Sequence, residues 1–252
     1  MTSLHKIAGS AGWLALVLAA AWLVGCGGGG SSALGTVGPV IPSPQSSIIT
    51  SPSPIPSGSP GPTPTPVVLV QGGVLGQDTV GEGDTVSGGQ GQTIDGLTCN
   101  NLTTPYHVHA HLSLFVNGQR LAVPDTIGFS QPGAEVNGYT QNAQCFYFLH
   151  THDADGLIHI EALVPTAFPL GYLFDVWGEP LSATNLAGFT GQVLAYTAQT
   201  AQGYNQTSGA FTQYQGDPRL IQLVSHEEIV LEVGPPFVTP PNLPPVIFYT
   251  SK

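Results

Sequence analysis

The stretch YHVHAHLSLFVNGQRLAVP, residues 106–124, sets three histidines at alternate positions ahead of an Asn-Gly pair. Alternation is the period of a strand, whose successive side chains point to opposite faces. Asn-Gly tolerates the two positive φ angles of a type I′ turn, so the pattern predicts a hairpin with a two-residue loop at Asn117 and Gly118. Val116 then faces Gln119, Leu114 faces Leu121 and Leu112 faces Val123. One face of the hairpin is apolar: Tyr106, Val108, Ala110, Leu112, Leu114 and Val116, continued by Leu121 and Val123. The other carries His107, His109, His111 and Ser113, then Phe115 beside Arg120.

A second stretch, CFYFLHTHDADGLIHIEA (145–162), repeats the theme around an Asp-Gly turn. A two-residue loop at Asp155-Gly156 pairs His152 with His159 and His150 with Glu161. A four-residue loop, Asp153 to Gly156, pairs His150 with His159 instead. Both keep these groups on one face and leave Tyr147, Leu149, Ile158, Ile160 and Ala162 on the other, whereas a three-residue loop scrambles the apolar pattern. The histidine face here also carries Phe146, Phe148 and Leu163, which makes it partly buried.

Six of the eight histidines lie in these two segments. Alternate residues of a strand are ~6.6 Å apart and paired residues ~5 Å, spacings from which imidazoles can converge on one ion at ~2.0–2.1 Å. His109, His111, His150, His152 and His159 are the leading ligands. His107, Glu161 and His226, the last at a turn before Glu227-Glu228, are second choices or supporting groups. An all-imidazole set points to zinc or copper(II). Two other readings compete: a metal-dependent hydrolase with an open coordination position and Glu161 or Asp153 as general base, and a structural module whose histidines form a buried, hydrogen-bonded layer. No nucleophile motif, phosphate loop or dinucleotide fingerprint is present, so no catalytic residue is assigned.

Cys99 and Cys145 each lie just upstream of a histidine segment. As an isolated pair in an exported chain they read as a disulfide closing a loop of about 46 residues, contributing on the order of 3–4 kcal/mol. The alternative is a metal-bound thiolate. A disulfide rules out a type 1 copper centre, and with Met1 the only methionine a thioether copper(I) carrier is excluded as well. Between 94 and 237, twelve carboxylates face only Arg120 and Arg219. Nothing there neutralises phosphates, so nucleic acid is not a partner; cations are attracted.

The amino terminus reads as a processing signal: Lys6 precedes the apolar run AGWLALVLAAAWLVG, too short for a persuasive membrane span. Leu23-Val24-Gly25-Cys26 resembles the bacterial lipobox, which implies cleavage before Cys26, lipid attachment there, and an exported protein anchored to the membrane of the cell envelope. Residues 1–26 are thus a signal peptide and 27–93 a Gly/Ser/Pro-rich tether whose densest part is SPSPIPSGSPGPTPTP. Residues 94–237 form a single histidine-rich domain, long enough for one core, and 238–252 an extended tail.

In the second half, apolar residues at 170, 173, 174 and 177 have helical spacing, with Thr166 as N-cap and Gly178 as C-cap. Trp177 is a core residue, and Asp175 is solvent-facing or within reach of a metal. GQVLAYTAQ, GAFTQYQ, RLIQLV and EEIVLEVG are strand-like. The class is α+β: mainly antiparallel β with hairpins and one short helix, similar in its second half to β-grasp proteins.

The motifs HVHAHLSLFVNG, LHTHDADGLIHIE, PLGYLFDVWGEPL and HEEIVLEVG together resemble a family of exported bacterial and archaeal proteins without an established activity. The likeness covers about 94–237 and implies a location and a shared fold.

Overall fold

The structure, a computed structural model, describes residues 64–78, 80–81, 88–200 and 207–248. The apolar segment 11–25, Cys26 and residues 51–63 of the tether's densest part lie outside the described residues. Among those described, no helix is long and apolar enough to cross a membrane.

The first hairpin forms as its residues require. Strand β1 (Tyr106–Val116) turns through Asn117 (φ 49°) and Gly118 (φ 76°) into β2 (Gln119–Leu121), with Val116 opposite Gln119 and Leu114 opposite Leu121. Pairing stops at Leu121, so Leu112 does not meet Val123 there. Its edge is taken instead by β4 (Leu157–Ala162), antiparallel to β1 from Tyr106↔Ala162 to His111↔Leu157. Strand β3 (Leu149–His150) extends the sheet in the register of the four-residue loop, His150↔His159. The connection itself is longer, 151–156. It ends at Gly156, where a Cβ would lie 2.3 Å from the Leu112 carbonyl oxygen, so the chain's close approach to β1 requires glycine.

Helix α1 (Leu170–Trp177) buries Leu170, Leu173, Phe174 and Trp177. Gly178 (φ 86°) ends it in the left-handed conformation and donates its N–H to the Phe174 carbonyl. Thr166 does not cap the other end. Phe168–Pro169 pairs with Gln222–Leu223 and separates Thr166 from the helix, and the Thr166 hydroxyl donates to the Val164 carbonyl.

Strands β5 (Gln192–Gln199), β6 (Thr212–Gln213) and β7 (Glu227–Gly234) complete the sheet in the order β6-β5-β7-β1-β4-β3. β7 runs parallel to β1, Glu228 beside His111 and Leu114 beside Leu231; the other neighbours are antiparallel. The fold is therefore α+β and mainly antiparallel. A hairpin, a helix and two further strands, with a last strand parallel to the first at the centre, is a β-grasp order. It draws on β1 and β4 as well as on the second half to which the sequence reading confined it.

The sheet has two unlike faces. Ala110, Leu112, Leu114, Leu149, Ile158, Ile160, Ile229 and Leu231 pack with α1 in the main core. Opposite lie the histidines, Ser113, Glu228 and Glu232, and this polar face is covered too. Val67–Val68 pairs in parallel with Val246–Ile247, and Leu69, Leu157, Val246 and Phe248 form a second apolar cluster. A third joins Phe115, Tyr196, Val230 and Leu243. The packed unit therefore begins before residue 94 and ends after 237: a tether rich in Pro and Gly still carries valine and leucine to bury, and the proline-rich tail adds Val246 and Phe248. Cys99 and Cys145 form the expected disulfide, with a sequence separation of 46.

Phe248 is 2 % exposed. Phe248→Ala is expected to lower stability by about 3–5 kcal/mol in urea unfolding; a change below about 0.5 kcal/mol would show the carboxyl-terminal segment to be detached.

Candidate metal centre

The β1–β4 register sets His109 opposite His159 and His107 opposite Glu161, while β3 sets His150 on the other side of His159. His107 and His152 flank these positions two residues away on the same face. The His159 ring centroid consequently lies 5.0 Å from that of His107, 4.5 Å from His109, 5.1 Å from His150 and 4.4 Å from His152. Two sets of three ligand atoms, His107/His109/His159 and His150/His152/His159, each fall within 4.8 Å of one another. These buried clusters could hold a metal ion.

Two rings are oriented by the backbone. His150 Nδ1–H donates to the Tyr147 carbonyl (2.8 Å) and His152 Nδ1–H to the Thr140 carbonyl (2.7 Å). A carbonyl only accepts, so in each neutral ring the lone pair is on Nε2; such an outer hydrogen bond is the usual support of a ligating imidazole. His107 Nε2 and His159 Nδ1 share a 2.9 Å hydrogen bond. Glu161 Oε1 stands 3.9 Å from Nε2 of both His107 and His150, and its Oε2 accepts from the Thr104 hydroxyl at 2.6 Å. Phe129 meets the rings of His150 and His152 at 5.6 and 5.0 Å, Phe146 lies 5.6 Å from His150, and Tyr139 stacks on His152 at 4.8 Å. A cleft of about 220 Å³, lined by Asn100, Leu102, Phe146, His150, His152 and Glu161, opens beside them.

Burial favours the neutral form of His109, His150, His152 and His159. Desolvation first, then the neighbouring histidines, pushes His109 and His150 down to about 3 and His159 well below its ordinary value; His152 is lowered by the same burial, partly offset by its bond to Thr140. Neutral imidazole is the form that binds a metal.

Other expected residues are placed elsewhere. His111 is not among the clustered ligands: its Nε2 donates to the Asp155 carbonyl (2.8 Å) and its Nδ1 bonds Glu228 Oε2 (2.7 Å). Glu228 also accepts from Ser113, which accepts from Arg120. The structural role weighed for the whole set thus falls to His111. His226 belongs to neither ligand set; it bonds Ser225 and packs its ring 5.1 Å from Phe248. Asp153 accepts from the Gly72 N–H, is 1 % exposed and is raised by burial, beside Asp155 at about 9; it belongs to neither ligand set. Asp175 pairs with Arg219. Cys99 and Cys145, being bonded to one another, supply no thiolate. Thr104, Tyr139, the Thr140 carbonyl and Glu228 were missed. Only Tyr139 had a local signal, the Asn137-Gly138 turn before it.

No family model, no curated protein and no solved structure matches the chain.

The lowered histidines have a signed consequence. An unfolded histidine takes a proton near pH 6.5, whereas folded His150 resists until about 3. Between those values the unfolded state binds more protons, so acidification destabilises the fold through this group. From pH 7 to 5, metal-free wild type is expected to lose about 2 kcal/mol that His150→Gln does not. Comparing the two cancels Asp155, Glu227 and Glu232, whose raised values act in the opposite direction. Urea unfolding at both pH values checks it, and parallel losses would contradict it.

Proposed function

We propose that this protein binds a divalent transition metal, zinc or copper(II), through His107, His109, His150, His152 and His159, with Glu161 at the same site. The observation that carries the reading is the pair of three-imidazole sets meeting at His159, with His150 and His152 held by backbone carbonyls so that Nε2 bears the lone pair. The donors are neutral nitrogens with one carboxylate nearby, a set suited to these ions rather than to calcium or magnesium. The setting is the cell envelope, with the chain exported and held to the membrane by lipid on Cys26. The Cys99–Cys145 disulfide accords with an oxidising compartment.

A hydrolytic role is the second reading, favoured by the cleft against His150, His152 and Glu161. There a metal would activate water, and Glu161, oriented by Thr104, would accept its proton. A closed four-ligand sphere in a metal-bound crystal structure would exclude it.

The purified full chain is expected to retain zinc or copper through dialysis, read by elemental analysis. Metal at 100-fold its Kd stabilises by about 2.7 kcal/mol, or about 5–10 °C in Tm for a domain of this size. His150→Gln with His152→Gln should remove most of that shift, as should a chelator acting on the wild type. No retained metal and no shift on adding either ion would refute the reading.

A further inference from the structure

Each of the two ligand sets could by itself hold an ion, and they have only His159 in common. His107 and His109 approach His159 from β1, which pairs with one edge of β4. His150, from β3 on the other edge, and His152, just beyond it, approach from the opposite side. A ring between two ligand pairs can serve both only by using both nitrogens. Its Nδ1 already faces His107 Nε2 at 2.9 Å, a few tenths of an ångström short of the ~3.3 Å between two nitrogens on one tetrahedral ion with ~2.0–2.1 Å bonds. Its Nε2 is then the atom for the second set.

A second observation points the same way. Glu161 Oε1 is equidistant, 3.9 Å, from Nε2 of His107 and of His150, one histidine from each pair. Its other oxygen is held by Thr104. A carboxylate so placed sits on the boundary between two cations, where its charge acts on both.

From this geometry we propose a dinuclear centre: two divalent ions, one held by His107, His109 and His159 Nδ1, the other by His150, His152 and His159 Nε2, with Glu161 beside both. This rests on the metal-binding reading above and adds stoichiometry and the bridge. When both nitrogens of His159 coordinate, the ring gives up its remaining N–H proton to solvent and becomes an imidazolate. No electron is transferred and no other bond changes. That anion and the Glu161 carboxylate offset part of the charge of two ions brought into a largely buried site. The ion on the β1 side is the more exposed, His107 being 34 % accessible in its side chain; the other faces the cleft through His150 and His152.

The test uses the full chain, stripped with chelator and titrated with copper(II). Bound metal should reach two equivalents after desalting. In electron paramagnetic resonance the spin signal should grow through the first equivalent and then fall below the bound copper content as the second enters, because the bridge couples the two ions. Zinc should also bind to two equivalents, and in His159→Gln the spin signal should match whatever copper is bound, the coupling being lost, while wild-type titration remains the primary measurement should that variant fold poorly. The paired changes His107→Gln with His109→Gln, or His150→Gln with His152→Gln, should each leave one equivalent. Saturation at one equivalent would overturn the dinuclear centre and leave the single-ion reading intact. Two equivalents with full, uncoupled spin would overturn the His159 bridge alone, and no binding would overturn both readings.

Discussion

The register between β1 and β4 is the constraint on which the rest depends. Its period of two puts Val108, Ala110, Leu112 and Leu114 into the main core only if His107, His109 and His111 face the other way. A slip of one residue would send three imidazoles into the apolar layer beneath α1 and expose a row of aliphatic side chains. Burial on one face thus enforces the meeting of polar groups on the other. The Asn117-Gly118 turn and the parallel pairing of β1 with β7 hold the same register from the far end.

Burying the histidine face takes more chain than the sheet itself provides. One side of the sheet is covered by the helix, but the other is closed by Val67–Leu69 and the segment reaching Phe248, which come from opposite ends of the packed unit. Their arrival explains why His111 and Glu228 are almost fully buried, and why His111 is satisfied by a hydrogen-bond network. A polar group withdrawn from water needs its partners built in.

Local rules with strong steric content were legible. The hairpin at Asn117-Gly118, the helix closed at Gly178 and the two faces of each histidine strand follow from φ restrictions and periodicity, and the disulfide from an isolated cysteine pair. Less legible was anything set by a distant partner. Alternation puts His107, His109 and His111 on one face but does not distinguish them. His111 differs because Glu228, 117 positions away, comes to lie beside it. Likewise nothing near residues 67–69 announces pairing with 246–247, since two-residue strands carry almost no periodic signal. Thr166 had the chemistry of a cap, but Phe168–Pro169 was claimed by a strand partner first.

The fate of His111 also bears on what the other five histidines are for. A histidine kept for structure has a partner facing each ring nitrogen, as His111 has in Glu228 and the Asp155 carbonyl. His150 and His152 have a carbonyl facing Nδ1, which leaves the lone pair on Nε2, and His150 Nε2 lies 3.9 Å from Glu161 Oε1. Neutral rings gathered this way bring lone pairs together, and protonating them to make donors is opposed by burial and by their mutual repulsion. A cation accepts several such lone pairs at once, as the proposed metal would, and positive charge is drawn by a chain of net charge −11. The rings of Phe129, Phe146 and Tyr139 pack against His150 and His152 and lower the local dielectric on that side of the cluster, where a charge acts more strongly than in water.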